Sequence, residues 1–133
     1  MTDRKRVLIV DDDVDFATAC RVALEGLGFE VLTANDSKSG VELAHAECPD
    51  LIVLDLMMEK LYSGFSVLQE LASHEDTCDV PVILVSAVTT ETGFRIDQGD
   101  TKPEWLRVVE FINKPIDPVE LARKVAGILS QDK

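Results

Sequence analysis

Val7-Leu8-Ile9-Val10-Asp11-Asp12-Asp13 sets four apolar residues in an unbroken row and then three carboxylates. A strand with one wet face alternates apolar and polar side chains. An unbroken apolar run instead suits a strand covered on both faces, as in a parallel sheet. The same grammar returns further along the chain. Leu51-Ile52-Val53-Leu54 runs into Asp55, Val82-Ile83-Leu84-Val85 into Ser86, and Val108 to Ile112 into Asn113-Lys114-Pro115. Between these runs the apolar residues recur at helical spacing. Strands alternating with helices predict an α/β fold, a parallel sheet with helices on both faces.

The intervals fill in as follows. Phe16, Cys20, Ala23, Leu24 and Leu27 form an inward helical stripe, with Gly28 placed to end the helix. Glu30 to Ala34 reads as a second, shorter strand. Ser37 to Glu47 reads as a second helix, weakened by Gly40 near its start. After the Cys48-Pro49-Asp50 turn and the third strand, a helix from about Gly64 to Ser73 carries Phe65, Leu68, Leu71 and Ala72 inward. Pro81 sits acceptably at the first position of the fourth strand. The final helix has clear start signals: Asp117 to cap, Pro118 in the first turn and Glu120 after it. Its inward stripe is Leu121, Val125, Ile128 and Leu129. From Ala87 to Arg107 no helical stripe is sustained, which predicts an irregular loop and then a short helical turn near Thr101-Lys102-Pro103-Glu104.

Composition removes several classes of function. At 133 residues, 46% hydrophobic and 29% charged, the chain suits one soluble globular domain spanning residues 1–133. Its apolar runs are far too short to cross a bilayer, and Thr2-Asp3-Arg4-Lys5-Arg6 is no secretory leader, so a cytoplasmic protein is expected. A net charge of −12 disfavours nucleic-acid binding, which needs a basic surface. Cys20, Cys48 and Cys78 are odd in number and lack a C-x-x-C pair, against a disulfide framework or zinc site. Cys20 reads as a small core residue, and His45 and His74 as solvated helix positions.

In an open parallel sheet, functional groups gather at the carboxyl ends of the strands, where strand order reverses. Those ends hold Asp11-Asp12-Asp13, Asp55, Ser86 and Asn113-Lys114. Carboxylates forced together repel one another unless a cation joins them. Mg2+ suits such a site because it takes oxygen ligands and keeps waters that phosphate oxygens can replace. A carboxylate can also attack phosphorus to form an aspartyl phosphate, with a lysine and a hydroxyl as partners for the phosphate oxygens.

These four segments, extended through Leu56-Met57-Met58, Pro81, Ala87 and Phe111, resemble the defining motifs of the response-regulator receiver family, in its order and over nearly the whole chain. The resemblance implies a flavodoxin-like, doubly wound five-stranded parallel sheet of order 2-1-3-4-5. It implies phosphorylation of Asp55, Mg2+ held by Asp12 directly, by Asp11 through water and by the Met57 carbonyl, and Lys114 paired with the phosphoryl group. Ser86 and Phe111 match the switch residues. The expected partners are a histidine kinase or histidine phosphotransfer protein upstream, and downstream a protein partner or an output domain outside these residues. No nucleic acid or membrane is expected to bind this domain. Three departures stand out: the loop of residues 58–64 lacks the usual proline and aspartate, the interval from Ser86 to Lys114 is long, and the Gly-Ala-Asp turn before the fifth strand is missing. They make the fourth-helix region atypical.

Other readings compete. A phosphorylation-independent interaction module could use the same fold. A phosphatase of haloacid-dehalogenase type would use Asp11 and Asp13 as nucleophile and acid/base, but it leaves Asp55 unexplained. A calcium loop starting at Asp11 fails on Phe16 and Val22, where glycine and glutamate are required. The receiver reading makes the chain a signalling module rather than a turnover enzyme, limited to self-phosphorylation and slow autodephosphorylation.

Overall fold

Strands β1 (Arg6–Val10), β2 (Glu30–Ala34), β3 (Leu51–Asp55), β4 (Val82–Ser86) and β5 (Val108–Asn113) form one sheet, flanked by helices α1 (Val14–Gly26), α2 (Ser37–Glu47) and α3 (Pro118–Gln131). The computed structural model describes residues 4–55, 67, 70, 71, 73, 80–86, 108–113 and 116–131, and of Ser86, Val108, Phe111, Asn113 and Gln131 the backbone alone. All neighbouring strands pair in parallel, in the order β2-β1-β3-β4-β5. This is the predicted fold and strand order.

The apolar runs become strands because both sheet faces are covered. Successive side chains point to opposite faces, so each run supplies two cores at once. Val7, Ile9, Leu51, Val53, Ile83 and Val85 join Cys20, Leu24, Leu121 and Val125 on the face under α1 and α3. Leu8, Val10, Ile52, Leu54, Val82 and Leu84 join Ala44, Val67 and Leu71 on the opposite face. Ile9, Ile52, Leu54 and Ile83 are wholly buried. At roughly 1.5–3 kcal/mol for each such side chain, this burial holds the sheet together.

Local signals set the helix ends. Asp13 caps α1 by accepting the Phe16 N–H at 3.2 Å. The helix closes through Phe29 N–H on Leu24 O (3.2 Å) and Gly28 N–H on Glu25 O (3.0 Å), with Gly28 at φ +100°. That pair of bonds is a Schellman motif, and glycine takes its left-handed position without steric cost. Leu27 corrects the predicted stripe, since it is 54% exposed. It is the C-cap residue, where the backbone has already left the helical turn, and Phe29 packs on the core instead.

Helix α2 runs over the predicted residues, capped by Asp36 through the Ser39 N–H at 2.7 Å. Gly40 has a packing reason that its helix propensity conceals. A Cβ there would lie 2.8 Å from Val10 Cγ1, so the missing side chain lets α2 lie against β1. His45, expected in solvent, is half-buried, with its Nε2 enclosed. Cys20 is buried as predicted. Asp117 caps α3 through the Val119 N–H at 3.0 Å, and Leu121, Val125 and Leu129 face the core.

The N-terminal edge of the sheet is tied by Arg6. Its backbone N–H donates to Asp50 Oδ2 and its carbonyl accepts the Asp50 N–H, both at 2.8 Å. Its guanidinium donates to Glu30 Oε1 at 3.2 Å, and to the Glu47 carbonyl at 2.9 Å and Oε1 at 3.3 Å. Leu71 is buried as expected, whereas Phe65, Leu68, Ala72, Cys78, His74 and the predicted loop of residues 87–107 lie outside the described residues. Among the described residues no helix is long and apolar enough to cross a membrane.

Candidate functional site

Strand order decides which carboxylates meet. From β1 the chain goes outward to β2 and then returns across to β3 on the other side, so β1 and β3 flank the reversal. Their register pairs Val10 with Leu54, which brings the residues that follow, Asp11 and Asp55, to the same edge. Asp55 falls in the alternating row of Leu51 and Val53. Strand and helix packing thus carry both aspartates into a largely closed setting: Asp11 is 2% exposed and Asp55 5% exposed. Among the described residues they are the two charged ones in an otherwise apolar set of buried positions.

Asp12 is exposed and completes the group. One carboxylate oxygen from each of Asp11, Asp12 and Asp55 lies within 4.8 Å of the others. At that distance, with an effective dielectric constant near 20, each ionised pair repels by roughly 3 kcal/mol before solvent screening of Asp12. Burial of two members limits the relief that water gives. A hard divalent cation with oxygen preference offsets this repulsion, and the donor set is all carboxylate, with an exposed side open to water or phosphate.

Asp11 is held at both its backbone and its side chain. Its N–H donates to Ala34 O at 3.0 Å, extending the β1–β2 pairing past the strand end. Its Oδ1 accepts the Asp13 N–H at 2.9 Å. Asp13, which the receiver resemblance assigned no role, thus links the acidic cluster to the start of α1. The sequence carried a signal for this, since an aspartate directly before an apolar-periodic helix is a strong N-cap. Its carboxylate is engaged as that cap, which is a poor fit to the acid/base role required by the phosphatase reading.

The remaining candidates are placed to different degrees. Ser86 ends β4 and pairs in register with Asn113 of β5, and Asp55 pairs with Val85, so the backbone of Ser86 lies one step beyond Asp55 on the neighbouring strand. Phe111 is in β5, paired with Leu84. The side chains of Ser86 and Phe111, and the whole of Met57 and Lys114, lie outside the described residues.

Comparison with known proteins agrees with this arrangement. Residues 7–126 match the response regulator receiver domain family. The chain is 35% identical over 124 residues to the DNA-binding dual master transcriptional regulator RpaA of Synechocystis sp., covering 93% of this chain and 48% of that protein. It spans about half the length of the curated relatives it matches. Among solved structures, the Francisella response regulator 1452 receiver domain superposes with a TM-score of 0.77 at 28% identity, covering 98% of this chain and all of that one. The receiver domain of a Pseudomonas aeruginosa sensor histidine kinase, which has a magnesium ion coordinated in its active-site cleft, gives a TM-score of 0.73 at 25% identity, over 94% and 97% of the two chains. From the sheet order, the acidic edge and the family match together, the chain belongs to the response-regulator receiver family, the signalling modules of two-component systems.

Proposed function

We propose that this receiver accepts a phosphoryl group on Asp55, with Mg2+ held by Asp11, Asp12 and Asp55 and by the Met57 carbonyl. The observation that carries the reading is the approach of the three carboxylate oxygens to within 4.8 Å at the switch point of the sheet. An oxygen of Asp55 attacks phosphorus, the bond to the donor's nitrogen or oxygen breaks, and an acyl phosphate remains on the aspartate. When bound, the metal neutralises charge on the phosphoryl oxygens. Asp11 and Asp12 would hold it, and burial of Asp55 keeps bulk water from most of the nucleophile. Lys114 and Ser86 are assigned to the phosphoryl oxygens, and Ser86 and Phe111 to the response that follows.

A histidine kinase or histidine phosphotransfer protein would be the donor, and the output would pass to a protein partner or to an attached domain. The half-length coverage of transcriptional regulators, one of them DNA-binding, favours an output domain in the parent protein, while this domain's net charge of −12 disfavours its own contact with nucleic acid. A cytoplasmic location follows from such partners. Acetyl phosphate with Mg2+ is expected to add one base-labile phosphoryl group per chain, seen by intact mass, and Asp55→Asn to abolish it. Labelling that persists in that variant removes Asp55 as the acceptor. Labelling indifferent to EDTA removes the metal.

A further inference from the structure

We infer that Asp13 is a positioning residue for this site, orienting Asp11 through the N-terminal cap of α1. The inference rests on the Mg2+-site reading above and deepens it.

Asp13 is bonded in two directions. Toward the site, its backbone N–H donates to Asp11 Oδ1 at 2.9 Å. Toward the helix, its own Oδ1 accepts the Phe16 N–H at 3.2 Å, and its carbonyl accepts the Ala17 N–H at 3.0 Å. The residue is extended, at φ −83° and ψ 97°, the conformation an N-cap requires. Asp12, whose carboxylate is in the cluster, is the single residue between the two. Residues 11–13 therefore form a strap pinned at one end to β2 through Ala34 O and at the other to α1.

The terminal torsion of an aspartate is broad, so a buried carboxylate needs an outside bond to fix its rotation. The Asp13 N–H supplies one such bond to Asp11, to Oδ1, but only while the backbone of residue 13 is itself fixed. The cap fixes it. Without a cap oxygen the first turn of α1 frays, the N–H loses its aim, and Asp11 and Asp12 lose their common orientation. Groups that orient metal ligands in this indirect way commonly change metal affinity by about 10- to 100-fold when removed.

Charge offers a different account, in which Asp13 is simply one more anion near a cation. Asp13→Asn, Asp13→Ser and Asp13→Ala remove the same charge, yet asparagine and serine still cap a helix and alanine does not. Mg2+ affinity of the full 133-residue chain, read from amide chemical shifts in a Mg2+ titration, is expected to fall about tenfold in Asp13→Ala. It should fall no more than about twofold in Asp13→Asn and Asp13→Ser, because one exposed charge is largely screened. Asp13→Gly lacks the cap oxygen and frees the backbone of residue 13, yet costs the helix as a whole little, so it should lose affinity as alanine does even if the alanine variant folds poorly. Hydrogen exchange at the Phe16 and Ala17 amides should rise in Asp13→Ala and Asp13→Gly alone. Equal losses of affinity in all four variants would leave only charge and overturn the inference. Unchanged affinity in Asp13→Gly, with faster exchange at Phe16, would make the cap merely structural and overturn it too. A wild-type chain that takes up no Mg2+ is a separate result, which sinks the site reading itself.

Discussion

The two edges of the sheet handle charge in opposite ways. At the N-terminal edge one arginine is shared among its acidic neighbours: the Arg6 guanidinium bonds Glu30 and Glu47, and its main chain bonds Asp50. At the C-terminal edge Asp11, Asp12 and Asp55 bring oxygens within 4.8 Å of one another, with two of the three buried. The first edge is balanced within the fold. The second concentrates like charge, an arrangement that costs stability and is useful where a cation and a phosphoryl group must be bound. Charge at the first edge should therefore stabilise, and charge at the second should not.

The largest effect on stability is expected at the acidic edge. Asp12→Ala relieves repulsion with two buried carboxylates, and Asp12 itself is exposed, so the roughly 3 kcal/mol per pair must be discounted for screening. We expect the metal-free fold to gain about 1–2 kcal/mol in urea melts, while Mg2+ no longer raises the midpoint. A less stable Asp12→Ala chain in EDTA would break the contrast between the edges.

Arg6→Gln tests the balanced edge, with the opposite sign. The Arg6, Glu30 and Glu47 side chains are 40–49% exposed, which keeps each ion pair weak. The bond to the Glu47 carbonyl at 2.9 Å adds a geometric tie between β1 and the end of α2. Together these make a loss of about 1 kcal/mol the expected outcome, with Mg2+ affinity unchanged. No loss would mean that the buried main chain alone secures this edge.

The strands were legible because a parallel sheet covered on both faces needs unbroken apolar runs, and Val7–Val10, Leu51–Leu54 and Val82–Val85 are such runs. β2 and α2 were read over their observed residues. Gly28 marked the end of α1 as expected, but the facing of Leu27 was misread, because apolar periodicity continues to that residue whereas the Schellman turn at Gly28 makes it the cap. Gly40 read as a defect because propensity is local, and the approach of Val10 is not. For the site, chain order showed that Asp11 and Asp55 end strands. Their convergence required the strand order, which apolar patterning does not carry and the family motifs supplied. The capping place of Asp13 was open to sequence reading, but its link to Asp11 is a main-chain bond, which no side-chain motif displays.

The smallest effect sharpens the comparison by locating a carboxylate at the C-terminal edge that stabilises. Asp36 follows β2 and caps α2, and its bonds from the Ser39 backbone N–H and hydroxyl hold its carboxyl below the usual carboxylate range, with a lesser contribution from Lys38. A carboxyl whose folded-state value is depressed contributes stability above its unfolded value. That contribution is lost as pH falls through the folded value, because the unfolded chain then binds the proton more readily. Asp36→Asn keeps a capping oxygen but cannot titrate, so the cap should survive while its share of the acid dependence disappears. Urea melts of the two chains from pH 6 down to about pH 3 are therefore expected to differ little at the upper end. At the acid end the Asn variant should lose less stability than the wild type. Parallel curves over the whole range would show that the Ser39 bonds do not favour the charged carboxylate, and that this edge holds no stabilising anion at Asp36.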